Sequence, residues 1–104
     1  SDASARVMRV RTDLDRAIAL APQNAYLYYN RGNLHASNGE YSNAIDDYTR
    51  ALQIDAYLAE AYYNRGLAYV KNGKKADGIR DLSRAGELGI YDAYSVIKQI
   101  SNDK

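Results

Sequence analysis

The 104-residue chain has no cysteine, tryptophan or phenylalanine, and only one proline, one methionine and one histidine. The missing cysteine excludes disulfides, zinc–thiolate sites and thiol nucleophiles together. It leaves the compartment open, because cytosolic and periplasmic proteins alike can lack cysteine. A lone histidine, His35, allows no His-based metal spacing. No apolar run reaches the ~20 residues that a membrane-spanning helix needs. The 14 basic and 13 acidic residues leave a net charge of +1, so no general attraction to nucleic acid or anionic lipid follows. The chain opens on Ser1 with no signal-like apolar segment behind it, which reads as a processed fragment or a piece of a longer chain.

Chemistry-bearing constellations are equally scarce. Asp46 and Asp47 point to different sides of a helix and do not form a carboxylate pair. Asp13 and Asp15 lack the rest of a calcium loop. There is no Gly-rich phosphate loop and no nucleophile elbow. The reading is non-catalytic, with no cofactor and no metal. What is abundant is tyrosine: all eleven aromatics are tyrosines, between Tyr26 and Tyr94. Tyrosine joins a large apolar face to a polar tip, which suits half-exposed packing or contact.

The tyrosines belong to a repeat. Tyr28-Tyr29-Asn30-Arg31-Gly32 returns as Tyr62-Tyr63-Asn64-Arg65-Gly66, 34 residues later. Aligned without a gap, 25–58 and 59–92 share 13 of 34 positions, at helical spacings and at a shared Asn-Gly. A fixed period of this size marks a stacked helical repeat. Each unit reads as two helices. The first runs over 25–37 and stops at Asn38-Gly39, residues that tolerate the left-handed conformation at a helix end. The second runs over 41–53, with Tyr41, Ala44, Ile45, Tyr48, Ala51 and Leu52 on one face. The next unit copies this over 59–71 and 75–87, with a stop at Asn72-Gly73. Gly32 and Gly66 lie mid-helix at a cost of about 1 kcal/mol each relative to alanine, so their recurrence predicts close helix–helix approach. The ends are partial. A single helix over 5–21 matches the second helix of a unit whose first is missing, and a last helix over 92–100 starts at Asp92 and covers the pair before it.

The spacing of Tyr28, Gly32, His35, Gly39, Ala44, Tyr48, Ala51 and Ala56, repeated in Tyr62, Gly66, Tyr69, Gly73, Gly78, Leu82, Ala85 and Ile90, resembles the tetratricopeptide repeat (TPR) family. Leu14, Ala17 and Pro22 continue it on the N-terminal side. His35 stands where the pattern has an aromatic, both full units lack the terminal proline, and Gly78 and Gly86 lower the helix propensity of 75–87. The resemblance implies an all-α, right-handed superhelical stack of antiparallel helix pairs, about six helices in all. It implies one domain over 1–104, made of a partial unit at 5–21, repeats at 25–58 and 59–90, and a cap at 91–102.

It also implies where function lies. The first helix of each unit lines a concave groove, which here places Tyr26, Tyr29, Asn30, Asn33, Ala36 and Ser37 on that face. The second unit adds Glu60, Tyr63, Asn64, Leu67, Val70 and Lys71, and the cap adds Tyr94, Ile97 and Lys98. Asparagine carries two donors and an acceptor, so Asn30 and Asn64 suit the backbone of an extended peptide. Tyr29 and Tyr63 offer contact area at low entropy cost. Tyr28 and Tyr62 are expected to pack between helices. One subclass of the family grips a C-terminal carboxylate with a Lys/Asn/Asn/Lys/Arg set. Asn33, Asn64 and Lys98 fall at similar places, but Tyr29 and Tyr94 replace its lysines and withhold charge from that clamp.

Arg31 and Arg65 recur at one position and read as ion-pair partners of Asp46, Asp47 or Asp81. Lys71, Lys74, Lys75, Arg80 and Arg84 read as a solvated basic face. The expected partner is a protein or peptide, with no nucleic acid and no membrane insertion. An alternative is a structural segment of a longer solenoid, or a homo-oligomer formed through the N-terminal helix. There Val10, Leu14 and Ile18 form an apolar stripe that a second copy or an upstream repeat would cover.

Overall fold

The protein is described here by a computed structural model covering residues 2–102. Six helices and no strand occur among these residues: α1 (Asp2–Leu20), α2 (Ala25–Ser37), α3 (Tyr41–Ile54), α4 (Ala59–Lys71), α5 (Lys75–Glu87) and α6 (Asp92–Asn102). Helix α1 starts three residues earlier than its apolar pattern does, because the polar stretch from Asp2 lacks any breaker. Asp92 is the first residue of α6. No helix among the described residues is long and apolar enough to cross a membrane.

The stops form as their residues require. Gly39 and Gly73 take φ of 76° and 80°, where a side chain is strained. The turn then closes with Glu40 N–H to His35 O at 2.9 Å and Lys74 N–H to Tyr69 O at 2.8 Å, a bond from beyond the helix end to its last turn. At the start of α2, Asn24 accepts from Tyr26 N–H at 3.1 Å and relieves one unpaired amide.

Helices α2 and α3 pack as one antiparallel pair and α4 and α5 as the next, with α1 against α2 and α6 against α5. The seams are built from small residues: Ala44, Ala51, Ala61, Ala85 and Ala93 are fully buried. The mid-helix glycines belong to the same seams. A Cβ on Gly32 would lie 2.7 Å from the Tyr48 ring, and one on Gly66 would lie 2.9 Å from the Gly78 carbonyl oxygen. Tyr48 and Leu82, 34 residues apart, are the large side chains that fill the space beside them. Tyr28 is buried between helices, its hydroxyl donating to Pro22 O at 3.1 Å.

Ion pairs repeat with the helices. Arg31 holds Asp47 through Nε and Nη2, both at 2.8 Å, and Arg65 holds Asp81 at 2.6 and 2.9 Å. Each arginine also reaches back one unit, Arg31 to Asp15 at 2.9 Å and Arg65 to the Thr49 hydroxyl at 3.1 Å. Paired guanidiniums in partly covered sites hold their protons more tightly than free ones. The Asp47 bond raises Arg31 and the Asp81 bond raises Arg65, while burial opposes both shifts. These arginines are structural, and Asp46 is not among their partners.

Candidate functional site

The three first helices, α2, α4 and α6, supply the residues that the groove reading selects. Between α2, α3 and α4 lies an open cleft of ≈ 260 Å³, lined by Asn33, Ala36, Tyr41, Tyr48, Asn64, Leu67, Ala68 and Lys71. Its floor is a polar network. The Tyr48 hydroxyl donates to Asn33 Oδ1 at 2.6 Å. The Asn64 Nδ2 amide donates to the same oxygen at 2.9 Å and to the Tyr29 hydroxyl at 3.0 Å. The Tyr29 and Tyr48 rings lie 5.9 Å apart and tilted. Burial, with the nearby Tyr29 and Asp47, pushes the Tyr48 hydroxyl well above the usual tyrosine range, so it remains a donor. The network uses Asn33 Oδ1 as its hub. Asn33 Nδ2 and Asn64 Oδ1 make no bond within it, which leaves a donor and an acceptor beside each other at the cleft.

The chain thus brings together Tyr29, Asn33, Asn64, Leu67 and Lys71. Asn30 is exposed and takes no part in the network, because it lies one residue past Tyr29 and nearly a full turn before Asn33. Tyr26 and Glu60 are exposed at the starts of α2 and α4. Tyr63 is half-buried and packs on the cluster of Leu82, Ala85 and Ala93 together with Leu67 and Ile97. Ser37 turns back to its own helix, its hydroxyl donating to Leu34 O at 2.8 Å. Val70 packs toward Gly78. Tyr94 is 49% exposed and lays its ring over Gly86, where a Cβ would come within 2.5 Å of it. Lys98 is exposed on α6, outside the cleft lining.

Three lining residues escape the first-helix rule: Tyr41, Tyr48 and Ala68. For Tyr48 a signal existed. Its counterpart 34 residues on is Leu82, so a hydroxyl sits where the other unit buries pure hydrocarbon. A phenol in that place needs a partner, and the partner is at the cleft.

His35 ties α1 to the pair behind it. Its Nδ1 lies 2.7 Å from Glu40 Oε1, and Nε2 lies 3.5 Å from Asp47 Oδ2. The same Glu40 oxygen accepts from Arg11 of α1 at 2.7 Å. The His35 bond, with the charge of Arg11 and His35, holds the Glu40 carboxyl below its usual range against a smaller burial effect. A second hollow of ≈ 330 Å³ lies beside it, between Ala3, Ser4, Val7 and Met8 of α1 and Asn38 and Glu40. No group of three or more metal-ligating side chains occurs among the described residues.

Three family profiles match the chain: "TPR repeat" over 32–73, and "Tetratricopeptide repeat" over 14–46 and over 59–88. No curated protein sequence matches it. Among solved structures, the second TPR domain of human RPAP3, in complex with the HSP70 peptide SGPTIEEVD, is 25% identical with a TM-score of 0.86, over 96% of this chain and 85% of that one. The first TPR of Spaghetti (RPAP3), bound to the HSP90 peptide SRMEEVD, superposes with a TM-score of 0.87 at 21% identity, over 94% and 79%; this likeness is one of fold alone. The Thermobaculum terrenum O-GlcNAc transferase is 29% identical with a TM-score of 0.82 over 90% of this chain, which spans 18% of that enzyme.

Proposed function

We propose that this chain, which belongs to the tetratricopeptide repeat family, is a non-catalytic interaction domain that holds an extended peptide against its α2/α4/α6 face. The observation that carries this reading is the Asn33–Asn64 pair at the floor of the cleft. Its unused amide donor and carbonyl acceptor match the N–H and C=O of an extended backbone. Tyr29 and Tyr48 fix the two amides in place, so binding costs little side-chain entropy. Ala36, Leu67 and Ala68 give the cleft an apolar wall for one side chain of the peptide. Lys71 on the lining and Lys98 on α6 favour an acidic residue nearby. Tyr26, Tyr63, Glu60, Asn30 and Tyr94 then form the outer contacts along the face.

The peptide complex of the human RPAP3 domain supports the general mode. A tight grip on a terminal carboxylate is not part of the proposal, because Tyr29 and Tyr94 stand where such a clamp places lysine. Peptides selected from a random library on the 104-residue chain supply the probe. Their affinity for the Asn33→Ala/Asn64→Ala double variant is expected to fall about tenfold or more, with helicity by circular dichroism unchanged. Unchanged affinity in that folded variant contradicts the reading.

A further inference from the structure

Helix α1 occupies the place of the second helix in a pair. Its Asp15 meets Arg31 as Thr49 meets Arg65, each 16 residues before its arginine. The same 34-residue step places Val10, Asp13, Leu14 and Ala17 of α1 on Ala44, Asp47, Tyr48 and Ala51 of α3. In α3 these four are buried against α2: Ala44 and Ala51 at 0%, Tyr48 at 1% and Asp47 at 6% exposure. On α1 none is buried; Val10 is 48% exposed and Asp13 is exposed. Leu20, which corresponds to the half-buried Ile54 and Leu88, is 82% exposed. No helix precedes α1 among the described residues to cover this face.

The face is specific because of Asp13. In both complete pairs the aspartate at this step accepts two N–H groups from an arginine. Asp13 makes no ion pair among the described residues. It stands as a carboxylate between Val10, Leu14 and Ala17, with the apolar surround that makes a bidentate arginine bond strong once covered. We propose that the Val10–Asp13–Leu14–Ala17 face of α1 is a docking site for a helix of another protein that carries an arginine followed by a small residue, the arrangement of Arg31-Gly32 and Arg65-Gly66. The arginine forks onto Asp13 while the small residue lets the helix approach Leu14, as Gly66 approaches Leu82. This site lies on a different helix from the peptide cleft and does not depend on it.

The probe is a fluorescent peptide of the α2 sequence, AYLYYNRGNLHAS, added to the 104-residue chain. A staple joins the places of Tyr26 and Asn30, which are exposed in the protein and so leave the packing face free. Binding is expected, weakened about tenfold by Asp13→Asn in the protein and by Arg31→Gln in the peptide, with no further loss when both are present. The Asn33→Ala/Asn64→Ala variant is expected to bind the probe as wild type does. Absence of binding, binding indifferent to Asp13, or binding lost in the asparagine variant would overturn the proposal. So would a stable dimer whose formation buries α1, since a second copy would then be the occupant.

Discussion

A single carboxylate has very different weight in this chain according to what surrounds it. The Asp81 side chain is 8% exposed and forks onto Arg65, which is 17% exposed. Replacing it with alanine strands a covered guanidinium, so Asp81→Ala is expected to cost about 3–5 kcal/mol in urea denaturation. Asp15 bonds an equally structural arginine, yet its side chain is 53% exposed. Water replaces that partner readily, and Asp15→Ala is expected to cost less than about 1 kcal/mol. Equal losses from the two would contradict this assignment of the ion pairs. Glu40 supplies a pH test. Its carboxyl is held below the usual range by His35 first and by Arg11. The folded form therefore favours the ionised carboxylate, and that share of stability is present above the ordinary carboxylate range. It is lost as pH falls through the lowered value. Denaturation midpoints measured from neutral to acid pH should fall less steeply in Glu40→Gln than in wild type. A slope unchanged by the substitution would show that Glu40 is not tied down in the folded chain.

Helix packing turns on whether a glycine faces something that can yield. A Cβ on Gly78 would stand 2.7 Å from the Gly66 carbonyl oxygen and 2.5 Å from Val70 Cγ2. Backbone cannot step aside there, so Gly78→Ala must part α4 from α5. Overpacking of about 1–3 kcal/mol is expected to exceed the helix-propensity gain of about 1 kcal/mol. Gly86 faces only the ring of Tyr94, a half-exposed side chain that is free to swing outward. Gly86→Ala is expected to be neutral or stabilising by up to about 1 kcal/mol. Thermal melts of the two variants should move in opposite directions, or Gly78 alone should move. The echoing pentapeptides and the Asn-Gly stops made the helix pairs legible, because turn chemistry and 3.6-residue periodicity are local. The two glycines of α5 read from sequence only as weak helix formers. Their role depends on Val70, Gly66 and Tyr94, whose positions are set by tertiary packing.

Across the whole molecule, the groove was legible as a face but not as a network. Its candidates came from one rule, that first helices line the concavity. That rule cannot see Tyr48, which reaches the cleft from α3 by passing Gly32, nor choose Asn33 over Asn30 as the partner of Asn64. Those choices depend on where two repeats stand relative to each other. The same stacking explains why α1 is exposed on one side and α6 ends the array with a polar outer face, Ser95, Lys98, Gln99 and Asn102. The central claim is that a peptide lies across α2, α4 and α6. Its most direct test is a chemical-shift map of the labelled chain titrated with a library-selected peptide. The account predicts the largest changes at the Asn33 and Asn64 side-chain amides, then at Leu67 and Lys71. Changes confined to the opposite faces of α3 and α5, with both asparagine amides unmoved, would contradict it.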